Sequence, residues 1–114
     1  MATYVPAQLV SPKVFGNGAA NIATWRKQNV AGAGTFDVHR TLVAVTPTAA
    51  RTITIEEGSV AADTAAQKIL DAYPLTANTQ FVQNWWVAVP NNDYFEGFAN
   101  STDINGGSFG YTYA

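Results

Sequence analysis

Cysteine is absent from the 114-residue chain. That excludes a disulfide scaffold, zinc fingers, iron–sulfur clusters and thiol nucleophiles together. Histidine occurs once, at His39, too few for most transition-metal sites. Charged residues make up 12% of the chain, against about a quarter in a typical soluble domain. Six basic and eight acidic side chains leave a net charge of −2, so no basic patch is available to neutralise phosphates and nucleic acid is not an expected partner. No apolar run reaches the roughly 18–20 residues of a membrane helix, and no membrane partner is expected. The opening Met1-Ala2-Thr3-Tyr4-Val5-Pro6 has neither the basic nor the apolar region of a signal peptide, and neither end carries a lipidation motif. Folding in a cytosol is the expectation. Asn100-Ser101-Thr102 fits a glycosylation sequon but carries little weight without a secretion signal.

The residues that are present read as β structure. Hydrophobic residues make up 47% of the chain, enough for a real core. Thr, Val, Ile and aromatic residues are spread between Gly and Asn clusters. Thr3 to Val10 is extended, and Pro6 within it, which cannot donate to a ladder, marks an edge strand or an arm. Ser11 to Ala20 reads as a loop and Asn21 to Lys27 as a short strand carrying Trp25. Gly32 and Gly34 mark a turn. Thr35 to Val45 is the clearest strand. Strict alternation puts Phe36, Val38, Leu42 and Ala44 on one face and Asp37, His39 and Thr41 on the other. Arg51 to Glu57 alternates with Ile53 and Ile55 inward and Thr52, Thr54 and Glu56 outward, so these two strands read as an antiparallel pair joined by the Thr46-Pro47-Thr48 turn.

Ser59 to Leu70 is the one segment with helix-forming composition, one or two turns with Asp63 as a cap. Ile69 to Leu75 returns to extended structure. Thr79 to Val89 is strongly apolar on both faces: Phe81, Trp85, Val87 and Val89 on one, Val82, Trp86 and Ala88 on the other. Such a strand is central and buried, or it meets a partner with its outer face. Pro90 to Asp93 is a turn, Tyr94 to Ala99 a strand with a bulge at Gly97, and Ser108 to Tyr113 a strand with Phe109, Tyr111 and Tyr113 on one face. About eight short strands at roughly ten-residue spacing predict an all-β, antiparallel, jelly-roll-like β-sandwich with at most one short helix. The expected organisation is an extended arm and loop over residues 1–20 and a single sandwich domain over 21–114.

Candidate chemistry is sparse. A Ser/His/Asp site would have to use His39, with Asp37 on the same face, but none of Ser11, Ser59, Ser101 and Ser108 sits in a nucleophile motif. A solvated strand face is the favoured reading. Glu56 and Glu57 point to opposite faces, as do Asp93 and Glu96; convergence of distant carboxylates is not visible in a sequence. Asp103-Ile104-Asn105-Gly106 places oxygen ligands beside a glycine but lacks the remainder of a calcium loop. Gly16-Asn17-Gly18, Gly32-Ala33-Gly34 and Gly106-Gly107 read as turns, since no phosphate-loop signature follows them. No cofactor, metal site or catalytic residue is expected, and the chain is not read as an enzyme. The aromatics are the strongest signal. Trp85 and Trp86 are adjacent in a strand and must project to opposite faces, so one of them belongs to a second layer or an interface.

Several phrases add a resemblance. Ala7-Gln8-Leu9-Val10, Leu42-Val43-Ala44-Val45, Thr48 to Ile55, Asp71-Ala72-Tyr73-Pro74-Leu75 with Asn84-Trp85-Trp86, and Asp93 to Ala99 occur in an order that resembles small β-sandwich structural proteins of tailed bacteriophages. These are head decoration (cement) proteins and tail-associated proteins. The resemblance implies a virion component, assembled in the host cytoplasm, that binds a major capsid protein or other virion subunits and forms homo-oligomers, with trimers on local three-fold axes as the natural arrangement. The expected partner-binding residues are Tyr4, Val5 and Leu9 on the leading segment and Trp85 and Trp86 on the apolar strand. The alternative is a tail-fibre or tail-tip module binding cell-surface glycan through exposed Trp or Tyr.

Overall fold

A computed structural model of the chain describes residues 3–27, 35–46, 48–61, 66–90 and 92–113, the side chains of 21 and 23–27 excepted. Among these residues eight strands form: β1 (Tyr4–Val14), β2 (Ala23–Lys27), β3 (Phe36–Val45), β4 (Arg51–Gly58), β5 (Gln67–Leu75), β6 (Gln80–Pro90), β7 (Tyr94–Ala99) and β8 (Asn105–Tyr113). A 3-10 turn, Ala19–Asn21, precedes β2. The pairing is nested: β1 with β8, β2 with β7, β3 with β6 and β4 with β5, all antiparallel. The chain is one long hairpin. Ladders β3–β8 and β4–β7 roll it into two four-stranded sheets, β1-β8-β3-β6 and β2-β7-β4-β5. That connectivity is a jelly roll, the antiparallel sandwich that the alternation predicts.

Rolling separates strands that are consecutive in sequence. β3 and β4 lie in different sheets and do not form the hairpin expected across Thr46-Pro47-Thr48, because both neighbours of each are already taken. Thr46 anchors the crossing: its buried hydroxyl donates to the Thr76 carbonyl at 2.5 Å. The helix expected over Ser59 to Leu70 also gives way. Residues 62–65, with the Asp63 cap, lie outside the described residues, but Gln67, Lys68 and Leu70 are strand, paired with Glu57, Glu56 and Ile55. Ladder formation against β4 overrides local helix propensity. The turn expected at Gly32 and Gly34 lies outside the described residues.

The leading segment, expected as an edge strand or an arm with a loop from Ser11, runs in register with β8 from Tyr4 to Val14 as an edge strand of the sandwich, and strand replaces the first part of the expected loop. Pro6 and Pro12 are tolerated there because an edge leaves donors unneeded. Gly106 and Gly107 are not a turn but part of β8. A Cβ on Gly106 would sit 2.5 Å from the Val43 carbonyl oxygen and one on Gly107 2.8 Å from that of Val10. Gly97 sits in the regular β4–β7 ladder; the nearby irregularity belongs to β2, between Thr24 and Arg26.

The core between the sheets holds Val10, Phe15, Leu42, Ala44, Ile53, Ile55, Leu75, Val89, Phe95, Ala99 and Ile104. Full burial of the larger of these stabilises the fold by about 1.5–3 kcal/mol each. Trp85 packs against this cluster from the inner face of β6 with Phe81 and Val87, as its parity predicts.

Candidate interaction surface

A register shift between His39 and Thr41 decides what the sheet β1-β8-β3-β6 shows to solvent. Residues opposite one another in a ladder share a face. Tyr4, Tyr113, Phe36 and Pro90 form one such row, and Pro6, Tyr111, Val38 and Ala88 the next. These rows face outward. Beyond the bulge at Arg40 the parity of β3 inverts, so Leu42 and Ala44 face the core while Phe36 and Val38 do not share their face, contrary to strict alternation. Asp37 and His39 point inward, and Thr41 lies outside, its hydroxyl donating to Asn84 Oδ1 at 3.1 Å.

The outer face carries apolar groups toward both ends, with Arg40, Thr41 and Asn84 between them. At one end Tyr4 packs on Tyr113 with centroids 4.7 Å apart, edge-on to Phe36, Trp86 and Tyr111 at 6.1–6.3 Å, and Phe36 stacks on Tyr113 at 4.7 Å. Val38 lies fully buried among these rows. Trp86 is 54% exposed, with the Arg40 guanidinium 5.2 Å from its ring centroid. Tyr4, Arg40, Trp86 and Tyr111 line a shallow groove of about 350 Å³. Toward the other end Phe109, Val45, Val82 and Val14 are exposed, and a second groove of about 350 Å³ opens between Val43, Val45, Phe109 and Pro12. Soluble monomers rarely leave so many large apolar groups together on one face.

The other expected partner-binding residues are placed less uniformly. Tyr4 and Val5 are about half exposed, but Leu9 is buried, at 4% exposure, beside the register shift of β1. Leu9 therefore packs inside its own sandwich. Trp85 faces inward, so Trp86 alone of the pair is displayed. Alternation placed Phe109 with Tyr111 and Val82 with Trp86, although neither was taken as a partner-binding residue; Val45 lies on β3 beyond the bulge at Arg40, where simple alternation does not carry.

Polar groups converge elsewhere, out of reach of solvent. His39 stacks on Phe95 with centroids 3.8 Å apart, and its Nδ1 lies 2.6 Å from Ser108 Oγ. Asp37, His39 and Ser108 each have 0% exposure. The triad composition is there, with all three side chains buried. Glu56 lies directly opposite Glu96, both buried on the outer side of the second sheet, with Lys68 Nζ 3.8 Å from Glu56. Thr54 and Glu56 face outward as alternation predicts, and both are nonetheless buried there. Glu57, inward on β4 opposite Phe95, has its pKa raised to about 7, first by burial, then by a hydrogen bond and like charge from Asp93. Asp103, weighed in the sequence as part of an incomplete calcium loop, is engaged by Arg51 through Nε at 2.9 Å and Nη2 at 2.7 Å, and this contact lowers its pKa to about 2.

No family model and no curated protein matches the chain. Solved structures match its fold. The structure of infectious bursal disease virus, Gx strain, superposes with a TM-score of 0.61 at 12% identity, covering 99% of this chain and 32% of that one. The VP2 subviral particle of the same virus gives 0.59 at 10% identity, over 98% and 32%. Its T13 viral particle gives 0.59 at 11% identity, over 98% and 30%. The chain spans about a third of the length of these neighbours, and at such identities the likeness is one of fold.

Proposed function

We propose that the chain is a non-enzymatic structural component of a virion, a decoration (cement) protein that docks on the assembled head of a tailed bacteriophage and stabilises it. The outer face of the β1-β8-β3-β6 sheet carries this reading. It is broad, apolar and almost uncharged, and an interface built on it desolvates few ions. The jelly roll shared with chains of viral particles supports a role in a shell, and the buried Asp37, His39 and Ser108 fit packing better than catalysis. A protein that binds only the assembled shell stabilises it by mass action, and many copies make modest single contacts sufficient. Localisation to the virion, after folding in the host cytoplasm, follows from this role.

The test is co-sedimentation of the full chain with emptied shells of the virus that encodes it. The wild type pellets with the shells, and Trp86→Asp or Phe109→Asp weakens binding by about thirtyfold or more, the loss typical of a buried aromatic anchor. Unchanged binding by both variants contradicts the proposal. One observation favours a second reading. Trp86, Tyr4 and Tyr111 around Arg40 resemble a stacking platform for a sugar, as a tail-borne recognition module would need. Binding to a glycan array without binding to shells would select that reading.

A further inference from the structure

From the row of Tyr4 and Phe36 to the row of Val45 and Gln80, every paired residue on the outer face of the β1-β8-β3-β6 sheet is uncharged. Arg40 is the exception, and the bulge puts it there. His39 pairs with Gly110 and Thr41 with Phe109, so no residue of β8 opposes Arg40. Its side chain is exposed, and its guanidinium lies over Trp86. It lines the groove of Tyr4, Trp86 and Tyr111 and also a neighbouring one of about 240 Å³ with Pro6, Thr41 and Phe109. The one charge of the face therefore stands between its two apolar ends. Other cations of the chain have counter-ions: Arg51 pairs with Asp103, and Lys68 lies 3.8 Å from Glu56. Among the described residues Arg40 has no carboxylate within ion-pair distance.

A partner that covers this face takes Arg40 out of water. A guanidinium buried without a counter-charge is strongly destabilising, and removing the charge of one partner from a buried pair costs more than an exposed pair is worth. We propose that the shell subunit presents a carboxylate side chain, Asp or Glu, to Arg40 from within an otherwise apolar patch. The inference rests on the reading of this face as the docking surface, and it names the chemistry that the partner must supply. A carboxylate accepts two parallel hydrogen bonds from the guanidinium fork and cancels its charge. One such pair in an apolar interface also fixes the register of docking, because a shifted pose leaves both charges buried and unpaired. The extent of the face favours a protein partner over a sugar. It runs ~30 Å from Phe36 to Val45 at ~3.3 Å per residue, the scale of a macromolecular contact.

Co-sedimentation of full-chain variants with emptied shells tests this. Arg40→Gln is expected to weaken binding by about tenfold or more, and Arg40→Glu, which sets like charges face to face, by about a hundredfold or more. Arg40→Lys keeps the charge and binds more tightly than Arg40→Gln. Each variant retains the wild-type circular dichroism spectrum. Wild-type affinity falls as ionic strength rises, and Arg40→Gln reduces that dependence. Binding by Arg40→Gln and Arg40→Glu equal to wild type, while Trp86→Asp still weakens it, overturns the carboxylate and leaves the docking face standing. Equal losses in Arg40→Lys and Arg40→Gln with an unchanged salt dependence assign Arg40 to packing on Trp86 and also overturn it. Unchanged binding by Trp86→Asp and Phe109→Asp overturns the docking face itself. Arg40-dependent binding to acidic glycans, without binding to shells, overturns the protein partner.

Discussion

Single residues carry much of this fold's specificity. Gly110, central in the sheet, illustrates it. A Cβ there would run into the Val38 carbonyl oxygen and approach the Arg40 amide at 3.0 Å. Both are backbone atoms next to the bulge that turns Phe36 and Val38 outward. Gly110→Ala is expected to lower stability by about 3–5 kcal/mol in urea unfolding, a loss typical of steric conflict in a packed interior. A change under 1 kcal/mol would show that the bulge relaxes. Glu57 predicts a pH dependence. Its folded pKa, near 7, lies above the roughly 4.3 of an exposed glutamate, so the native state retains a proton that the unfolded state releases. Its stabilising contribution is complete below pH ~4.3 and is lost as pH rises through ~7. Glu57→Gln should flatten the decline in melting temperature over that window relative to wild type. Parallel curves would show that burial and the Asp93 contact do not hold the proton on Glu57.

Elements reveal where local signals end. β1 is an edge strand, yet it buries Leu9 and Val10 and covers β8 over its whole length. Deleting residues 3–14 is expected to abolish cooperative unfolding and expose β8 to aggregation; a truncated chain that melts cooperatively would restore the idea of a detachable arm. Strand existence was legible in the sequence wherever alternation was clean. Ile53 and Ile55 face inward, Trp85 and Trp86 face apart, and Asp93 N–H bonds the Pro90 carbonyl in the turn anticipated there. The bulge at Arg40 was not legible, because one extra residue inverts a face without changing composition. Gln67 and Lys68 favour a helix locally, and only pairing with β4 makes them strand. The carboxyl pairs Glu56–Glu96 and Glu57–Asp93 depend on ladder register between distant segments, which no spacing rule reports. Of the outer face, Tyr4 and Trp86 were legible as exposed aromatic groups; Val5 is exposed but lies on the row of Thr112 and Asp37, off that face, and Leu9 is buried beside a register shift.

At the scale of the molecule, the nested hairpin divides the labour between two sheets. In one, Glu56 and Glu96 are buried on the outer side; in the other, large apolar groups are exposed on the outer side. The account therefore rests on the outer face of the β1-β8-β3-β6 sheet being covered in the assembled particle. Hydroxyl-radical footprinting of the full chain, free and bound to emptied shells, measures this side chain by side chain. The account predicts strong protection of Tyr4, Trp86 and Phe109 on binding, with Tyr73 on β5 of the other sheet unchanged. Protection of Tyr73 while Trp86 and Phe109 remain as reactive as in the free protein would contradict it.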